Sequence, residues 1–353
     1  MFIYLLLLMI IFIIFKISKN KNRALVFSFL LIAIIASLRK YTVGVDTKQF
    51  YDMFDYIHND LSWNYHNFRY EPGFYYLCKM LSEISSNAQI LIIVSSIFIN
   101  FSVYRFIKKN SPDFQLSTIL YIIMLFFFST MNIMRQALAL SILLYGFDFL
   151  KEKEYFKYII TVFIAGLFHT VSFAGLLPLF FSILPNKKIV YIIEIFLAAI
   201  TFIFYEQFFK LLTFGFGYES YATSQYGVSN YFGALIAAIE ILLIIIFLVL
   251  ASYKKGKKID SSSMKLLTIT SILYIWFEFL VVRMNIFNRV AGLFGIYTII
   301  FIPLLLEHMK EYNKDNYFIS KNICCILLFA SFLIISIFRP EWHGVIPYEF
   351  FWN

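Results

Sequence analysis

The sequence contains few charged residues. Asp, Glu, Lys and Arg make up only 14% of the 353 residues, whereas 61% are hydrophobic. A soluble domain carries about 25% charged residues, so this chain could not cover a water-facing surface. Its apolar runs are long enough to cross a bilayer, and strict alternation of polar and apolar residues is missing, which argues against an outer-membrane barrel. We therefore expect an all-α, polytopic membrane protein.

Cysteines and cofactor motifs are also scarce. The three cysteines, Cys78 and the adjacent pair Cys324 and Cys325, form neither a CxxC metal motif nor a disulfide framework. The sequence has no Walker A loop, no GxGxxG and no HExxH motif. Asp52 and Asp55 form a DxxD pair, which is weak evidence for a metal. We therefore expect no cofactor and no metal.

The apolar runs predict about 11–12 transmembrane helices in a single integral membrane domain that covers residues 1–353. The first run lacks a basic n-region and a small-residue cleavage site, so it is interpreted as a span and not as a signal peptide. The predicted spans are 2–15, 24–38, 88–107, 115–129, 131–150, 156–168, 171–185, 189–206, 233–252, 264–282, 290–306 and 322–338.

Lysine and arginine in short loops indicate which side each loop occupies. The basic loops 16–23, 105–110, 151–157, 186–188, 254–258 and 307–322 are predicted to be cytoplasmic. The formal net charge of +9 then reflects these loops, and we expect no nucleic-acid partner. The outer face is predicted to hold the loop 39–87 with interfacial helices, the loop 207–232 and the tail 339–353. Because the loops on both sides of it are predicted to be cytoplasmic, segment 158–185 must extend toward the outer face and return. It does so either as two short spans or as a re-entrant hairpin with its tip near His169.

Polar residues collect in the loop 39–87. Asp46 is interpreted either as the N-cap of an interfacial helix or as a carboxylate that faces a cavity, with Arg39 beside it. Further on, Arg69 and Glu71 are interpreted either as a surface ion pair at a helix start or as substrate-binding residues.

Arg135 and His169 are the least expected residues in apolar surroundings. Arg135 is predicted either to reach the interface from its span or to contact an anion in a cavity. Small residues after it, including Ala137, Ala139 and Ser141, indicate close helix packing. His169 is either a hydrogen-bonded core histidine or a group suited to proton transfer.

Arg283 and Arg289 lie on the predicted outer side, where arginines are disfavoured. On one continuous helix they would point to different faces. A break at Asn285 and Asn288 would let them converge, whereas the alternative is a pair of interfacial anchors. The tail 339–353 has the composition of an interfacial anchor.

In order along the chain, VGVD after Arg39, EPGF, MRQALALSI, LFHTVSFAGLLP and the Arg283–Arg289 pair resemble the EpsG-like group of Wzy-type polysaccharide polymerases. The resemblance covers roughly residues 39–297. It implies a GT-C-like membrane glycosyltransferase of the bacterial cytoplasmic membrane, which joins undecaprenyl-diphosphate-linked repeat units at the outer face. It also implies partners in the bilayer, including a flippase and a chain-length regulator.

The resemblance and the residues together predict the following roles. An arginine cluster stabilises the charge on the diphosphate leaving group, and Asp46 or His169 serves as the base for the acceptor hydroxyl. The predicted catalytic residues are Asp46, Arg135 and His169. The predicted substrate-binding residues are Arg39, Arg69, Glu71, Arg283 and Arg289.

Other functions fit part of this pattern. A flippase for lipid-linked sugars would also use cavity arginines, but its polar residues should reach both faces of the membrane. A ligase would use the same chemistry with another acceptor. An O-acyltransferase would need a catalytic histidine, for which His169 is the candidate, and a scaffold protein would not need outer arginines.

Overall fold

The computed structural model describes residues 1–60, 70–184, 187–213, 261–310 and 314–352, together with a few single positions between these ranges. Within them the chain is helical, which confirms the all-α prediction. The chain forms two compact units. The first comprises Met1–Phe173 and Phe329–Asn353, and the second comprises Ala174–Leu328.

The first unit begins with two apolar helices and contains the predicted outer loop as two short helices. Its helices are α1 (Phe2–Ile17), α2 (Lys21–Ser37), α3 (Thr47–Asn59), α4 (Pro72–Ser82), α5 (Gln89–Asn110), α6 (Phe114–Ile123), α7 (Phe126–Asn132), α8 (Met134–Lys151) and α9 (Tyr155–Gly166). α5 packs against α2 and α8, and α8 packs against α9. Ala137, Ala139 and Ser141 are buried, as the small-residue pattern predicted.

The helix α3 is amphipathic. Its buried residues Phe50, Phe54 and Ile57 recur at helical spacing. They join a hydrophobic core with α4, α5 and the start of α8, to which Phe74 and Met134 contribute. The polar segment 39–87 therefore forms two short helices that cover the ends of longer ones.

A break separates α6 from α7. Leu125 between them has a positive φ of 62°, and the two helix axes differ in direction by 53°. The predicted continuous span 115–129 is therefore bent. This break places the end of α7, at Met131 and Asn132, beside the segment that precedes α3, as the next subsection describes.

The second unit contains the remaining helices, except for the part of the last helix from Phe329 onward and the start of the 3₁₀ turn before Ala174, which belong to the first unit. A 3₁₀ turn (Thr170–Gly175) leads into α10 (Leu176–Ile183), and α11 (Lys187–Ile203), α12 (Tyr205–Thr213), α13 (Ser261–Val281), α14 (Asn288–Gly295) and α15 (Thr298–Lys310) follow. α16 (Lys314–Phe338) leads to the tail. The predicted break at the Asn pair is present as a 3₁₀ turn at Asn285–Phe287. The loop 207–232 and the span 233–252 lie largely outside the described residues.

Length and composition identify three helices in the described residues that can each cross a membrane, or up to six if each bent pair counts as one span. The three are Gln89–Asn110, Ser262–Val281 and Tyr317–Phe338. In the described part of the chain, the shorter apolar helices are Phe2–Ile17, Tyr155–Gly166 and Thr170–Ile183, and three further helix pairs are bent at a break, as at Leu125. The chain is a polytopic helical membrane protein, while the count of 11–12 spans stays a prediction.

Segment 339–352 folds back on the start of the outer loop. The backbone N–H of Lys40 donates to the carbonyl of Glu349 at 2.9 Å, and that of Gly44 donates to the carbonyl of Gly344 at 2.7 Å. Arg39 and Phe350 form an isolated antiparallel bridge. The hydroxyl of Tyr4 donates to the carbonyl of Val345 at 2.9 Å. We call segment 339–352 the strap, because it binds both α1 and the loop before α3.

Candidate functional site

The VGVD segment is held against the end of α7. Gly44 has a φ of +100°, and a Cβ on it would stand 2.5 Å from the carbonyl oxygen of Met131. The hydroxyl of Thr47 donates to the same carbonyl at 3.0 Å. Only glycine fits both the backbone conformation and the close approach. This contact fixes the position of Asp46, which lies between the two residues.

Asp46 stands at the N-cap position of α3. Its backbone N–H donates to Oδ1 of Asn132 at 3.0 Å, and the residue is half-buried. Among the described residues, the side chain makes no capping hydrogen bond to α3. The structure therefore does not show the Asp46 side chain as a cap of this helix. Asn132 lies one turn before Arg135, so it connects the VGVD segment to the start of α8.

The EPGF segment is held against the chain that follows α9. The N–H of Gly73 donates to the carbonyl of Leu167 at 2.7 Å. A Cβ at position 73 would stand 2.7 Å from that oxygen. The N–H of Thr170 donates to Oε1 of Glu71 at 3.1 Å. Two motifs that are almost a hundred residues apart in the sequence are therefore in direct contact.

Arg135 and Glu71 form an ion pair in which Nη1 of Arg135 donates to Oε2 of Glu71. The guanidinium carbon lies 4.0 Å from the centroid of the Tyr70 ring and 5.8 Å from that of Phe50. Such stacking suits the planar guanidinium. The Nε of Arg135 is buried and has no hydrogen-bond partner in the described part of the chain. The sequence-based interpretation paired Glu71 with Arg69 instead, and Arg69 lies outside the described residues.

His169 is buried where the chain is broken between Gly166 and the 3₁₀ turn, as predicted. Its Nδ1 accepts a hydrogen bond from the N–H of Val171 at 3.2 Å. In the neutral ring the proton then resides on Nε2, which makes this nitrogen a hydrogen-bond donor. This tautomer weakens the interpretation of His169 as a base.

Four separate segments thus meet through named hydrogen bonds and ring contacts. We call their polar residues Asp46, Glu71, Asn132, Arg135 and His169 the Arg135 cluster. Sequence reasoning singled out Asp46, Glu71, Arg135 and His169 but missed that Glu71 pairs with Arg135. It also missed the ring of Tyr70. The glycine that follows Pro72 was the available signal for a close backbone approach at this point.

Arg39 is buried, and its guanidinium donates hydrogen bonds to groups outside the Arg135 cluster. It is 1% exposed. Its guanidinium donates to the carbonyl of Ala36, to Oγ of Ser96 at 2.8 Å and to the carbonyl of Met131 at 3.3 Å. Burial lowers the pKa of Arg39 to about 10, so the side chain stays charged at neutral pH. These contacts tie α2 to α5 and α7, which disfavours the predicted role of Arg39 in binding phosphate.

Arg283 and Arg289 belong to the second unit. Arg283 is exposed, and its guanidinium carbon lies 4.5 Å from the centroid of Phe202 and 5.6 Å from that of Tyr205. Arg289 is half-buried near the start of α14. The 3₁₀ turn at Asn285–Phe287, which separates the two arginines, agrees with the break that the sequence predicted at Asn285 and Asn288. Their participation in a common site with Arg135 stays a prediction.

The fold and the Arg135 cluster define a polytopic helical membrane protein with an arginine–carboxylate pair where short helices cover longer ones. A scan against protein families matches residues 22–350 to the EpsG family. The chain therefore belongs to the EpsG family, as the resemblance implied. Searches of curated proteins and of solved structures found no match.

Proposed function

We propose that the protein is a polysaccharide polymerase that joins repeat units carried on undecaprenyl diphosphate at the outer face of the bacterial cytoplasmic membrane. Family membership supports the class of the reaction. The observation that carries the proposal is Arg135, which Glu71 and the ring of Tyr70 hold at the meeting point of four motif segments.

The reaction joins the hydroxyl of an acceptor repeat unit to the anomeric carbon of the donor glycan. A C–O bond forms at that carbon while its bond to the lipid diphosphate breaks, and the electron pair leaves with the diphosphate. Arg135 stabilises the developing negative charge, because a guanidinium binds phosphate oxygens in a fixed geometry and stays charged. Its buried Nε–H, which has no hydrogen-bond partner among the described residues, is a donor that a bound ligand would satisfy.

Asp46 is the favoured base in this scheme. The nearby His169 carries its proton on Nε2 when neutral, because Nδ1 accepts the N–H of Val171. Glu71 is also a poor base, since its two oxygens accept from Arg135 and from Thr170. Asp46 is half-buried and its backbone is fixed by Asn132. In the proposed reaction Asp46 takes the proton of the acceptor hydroxyl, and Nε2 of His169 donates to an oxygen of the leaving group.

The test is the chain length of the glycan in cells that lack the gene and carry variants at matched membrane levels. Arg135→Ala and Asp46→Asn should each lower the polymerisation rate by about 10²–10³-fold. Glycans should then stop at single repeat units on the outer face. Asp52→Asn is the matched control, because Asp52 is an exposed carboxylate on the same helix α3.

Two outcomes would contradict this proposal, and each would support a different function. If repeat units accumulate on the cytoplasmic leaflet in the Arg135→Ala strain, the protein moves lipid-linked sugar and is a flippase. If polymer is made normally but is not transferred to its final acceptor, the protein is a ligase. Full-length polymer with Asp46→Asn would exclude Asp46 as the base.

A further inference from the structure

Two fully buried polar side chains on α11 and α13 lack hydrogen-bond partners in the described part of the second unit. Glu194 on α11 is 0% exposed, and so is Ser271 on α13. Within the described part of the chain, neither carboxyl oxygen of Glu194 has a hydrogen-bond partner, and the hydroxyl of Ser271 has none either. A buried polar atom without a partner costs about 1–3 kcal/mol. Two such residues on helices that pack together require an explanation.

The contacts between α11 and α13 put Glu194 level with Ser271. The side chain of Tyr191 lies beside that of Thr268, and Nε1 of Trp276 donates to Oγ1 of Thr201 at 2.6 Å. The residue numbers rise on both helices from the first contact to the second, so α11 and α13 are parallel.

Glu194 follows Tyr191 by three residues, and Ser271 follows Thr268 by three. At about 1.5 Å per residue, both residues lie about 4.5 Å beyond the first contact. Residues three apart share one face of a helix. Helical spacing thus places Glu194 and Ser271 at the same level of α11 and α13, and the structure shows no hydrogen bond between them.

In the described helices packed against α11, the cations are Lys210 on α12 and Lys265 on α13. On α13, Lys265 donates to the carbonyls of Ser182 and Leu184 at 2.7 and 2.8 Å. The helix α12, which packs on the end of α11, begins beyond a bend of 102°. The charged or titratable groups of the described elements packed on α11 are Tyr205, Glu206 and Lys210 on α12, and Lys265, Tyr274 and Glu278 on α13. Tyr191 is the neighbour on α11 itself.

An ionised carboxylate in such a place is far more costly than a neutral acid, so the group keeps its proton. A neutral carboxyl has one donor and further acceptor capacity, which complements a hydroxyl. Ionisable residues within membrane-spanning segments are functional candidates by default. We propose that Glu194 and Ser271 form a proton-binding site between α11 and α13. This site belongs to the second unit, whereas the Arg135 cluster belongs to the first, and it does not depend on the proposed polymerase activity.

The experiment uses the purified full-length protein in lipid nanodiscs and dicyclohexylcarbodiimide, an apolar reagent that modifies protonated carboxyl groups. Peptide mass spectrometry locates the adduct. Glu194 should be labelled at acidic and neutral pH, and each pH unit above the midpoint should lower labelling about tenfold. Glu194→Gln should abolish the adduct, whereas Glu278→Gln, a change on the facing helix, should leave it unchanged.

Ser271→Ala supplies the second readout. The Ser271 hydroxyl is the donor available to the ionised form of Glu194, so its removal should move the labelling midpoint to higher pH. An unchanged midpoint would exclude Ser271 from the site. Absence of the adduct at acidic pH, while the detergent-unfolded protein is labelled at Glu194, would overturn the proposal. Protection by sodium ions at constant pH would also overturn it, because the bound cation would then not be the proton.

Discussion

At the scale of single residues, two glycines determine how the Arg135 cluster is assembled. Gly44 and Gly73 each bring the backbone so close to a carbonyl, of Met131 and of Leu167, that a Cβ would clash with it. The contacts explain why the short motifs VGVD and EPGF contain glycine at these positions. A side chain at either site would push apart the segments that carry Asp46 and Glu71.

Gly73→Ala is therefore expected to destabilise the protein by about 1–3 kcal/mol, because the new Cβ has no room beside the carbonyl of Leu167. Gly292→Ala is the control, since a Cβ there would meet no atom within 4 Å. Alanine in a helix is favoured over glycine by about 0.5–1 kcal/mol, so this variant should be neutral or more stable. Thermal unfolding in detergent measures both, and equal melting temperatures would contradict the contact.

The pair of Glu71 and Arg135 makes a second prediction at this scale. Their side chains are 10% and 16% exposed, so removing one partner leaves a nearly buried charge, which costs about 3–5 kcal/mol. Glu71→Gln and Arg135→Gln should each lower the melting temperature, and the double variant should be more stable than their summed effects suggest. Strictly additive effects in this double-mutant cycle would show that the two residues do not interact.

At the scale of structural elements, the strap controls the surroundings of the VGVD segment. The composition of 339–353 predicted an interfacial anchor, whereas the structure shows a segment that bonds to the backbone of 38–45. Sequence patterns cannot predict such pairing, because the bonds involve backbone groups of residues far apart in the chain. The helical periodicity of α3 was predictable, since its apolar residues recur at i, i+4 and i+7.

The strap should also make stability depend on pH through His343, whose ring packs against Phe128. Burial lowers the pKa of His343 from 6.5 to about 4. Between these values the unfolded chain binds the proton and the folded chain does not, so stability falls as the pH falls from 6.5 to 4. His343→Phe keeps a ring and does not titrate. The wild type should lose more thermal stability than this variant on acidification, and parallel losses would contradict the prediction.

At the scale of the whole molecule, the all-α membrane architecture and the family could be recognised from the sequence. Low charge, long apolar runs and ordered motifs were sufficient for both. The number of spans could not be recognised from the sequence, because breaks such as that at Leu125 interrupt runs that look continuous in hydropathy. The inward position of Arg39 could not be read from the sequence for a related reason: an arginine at the end of a span can turn inward when backbone carbonyls and a serine hydroxyl accept its hydrogen bonds.

The predicted orientation can be tested with cysteine variants in a background without the native cysteines. Thr42 and Glu152 are both exposed, and the basic loops predict that Thr42 is outside and Glu152 inside. In intact cells, an impermeant thiol reagent should label Thr42→Cys and should reach Glu152→Cys only after permeabilisation. The reverse pattern would turn the Arg135 cluster toward the cytoplasm and remove the basis for an outer-face reaction.

The strap has a consequence for biosynthesis. Tyr4 and Val345, joined by a hydrogen bond, are 341 positions apart in the chain. At a translation rate of about 5–20 residues per second, the strap is synthesised about 17–70 s after α1. Until then the loop that carries Asp46 lacks the strap's backbone bonds. A ribosome that stalls before residue 343 therefore releases a chain whose membrane helices can insert but whose first unit stays unfinished, and membrane proteases can select such chains for degradation.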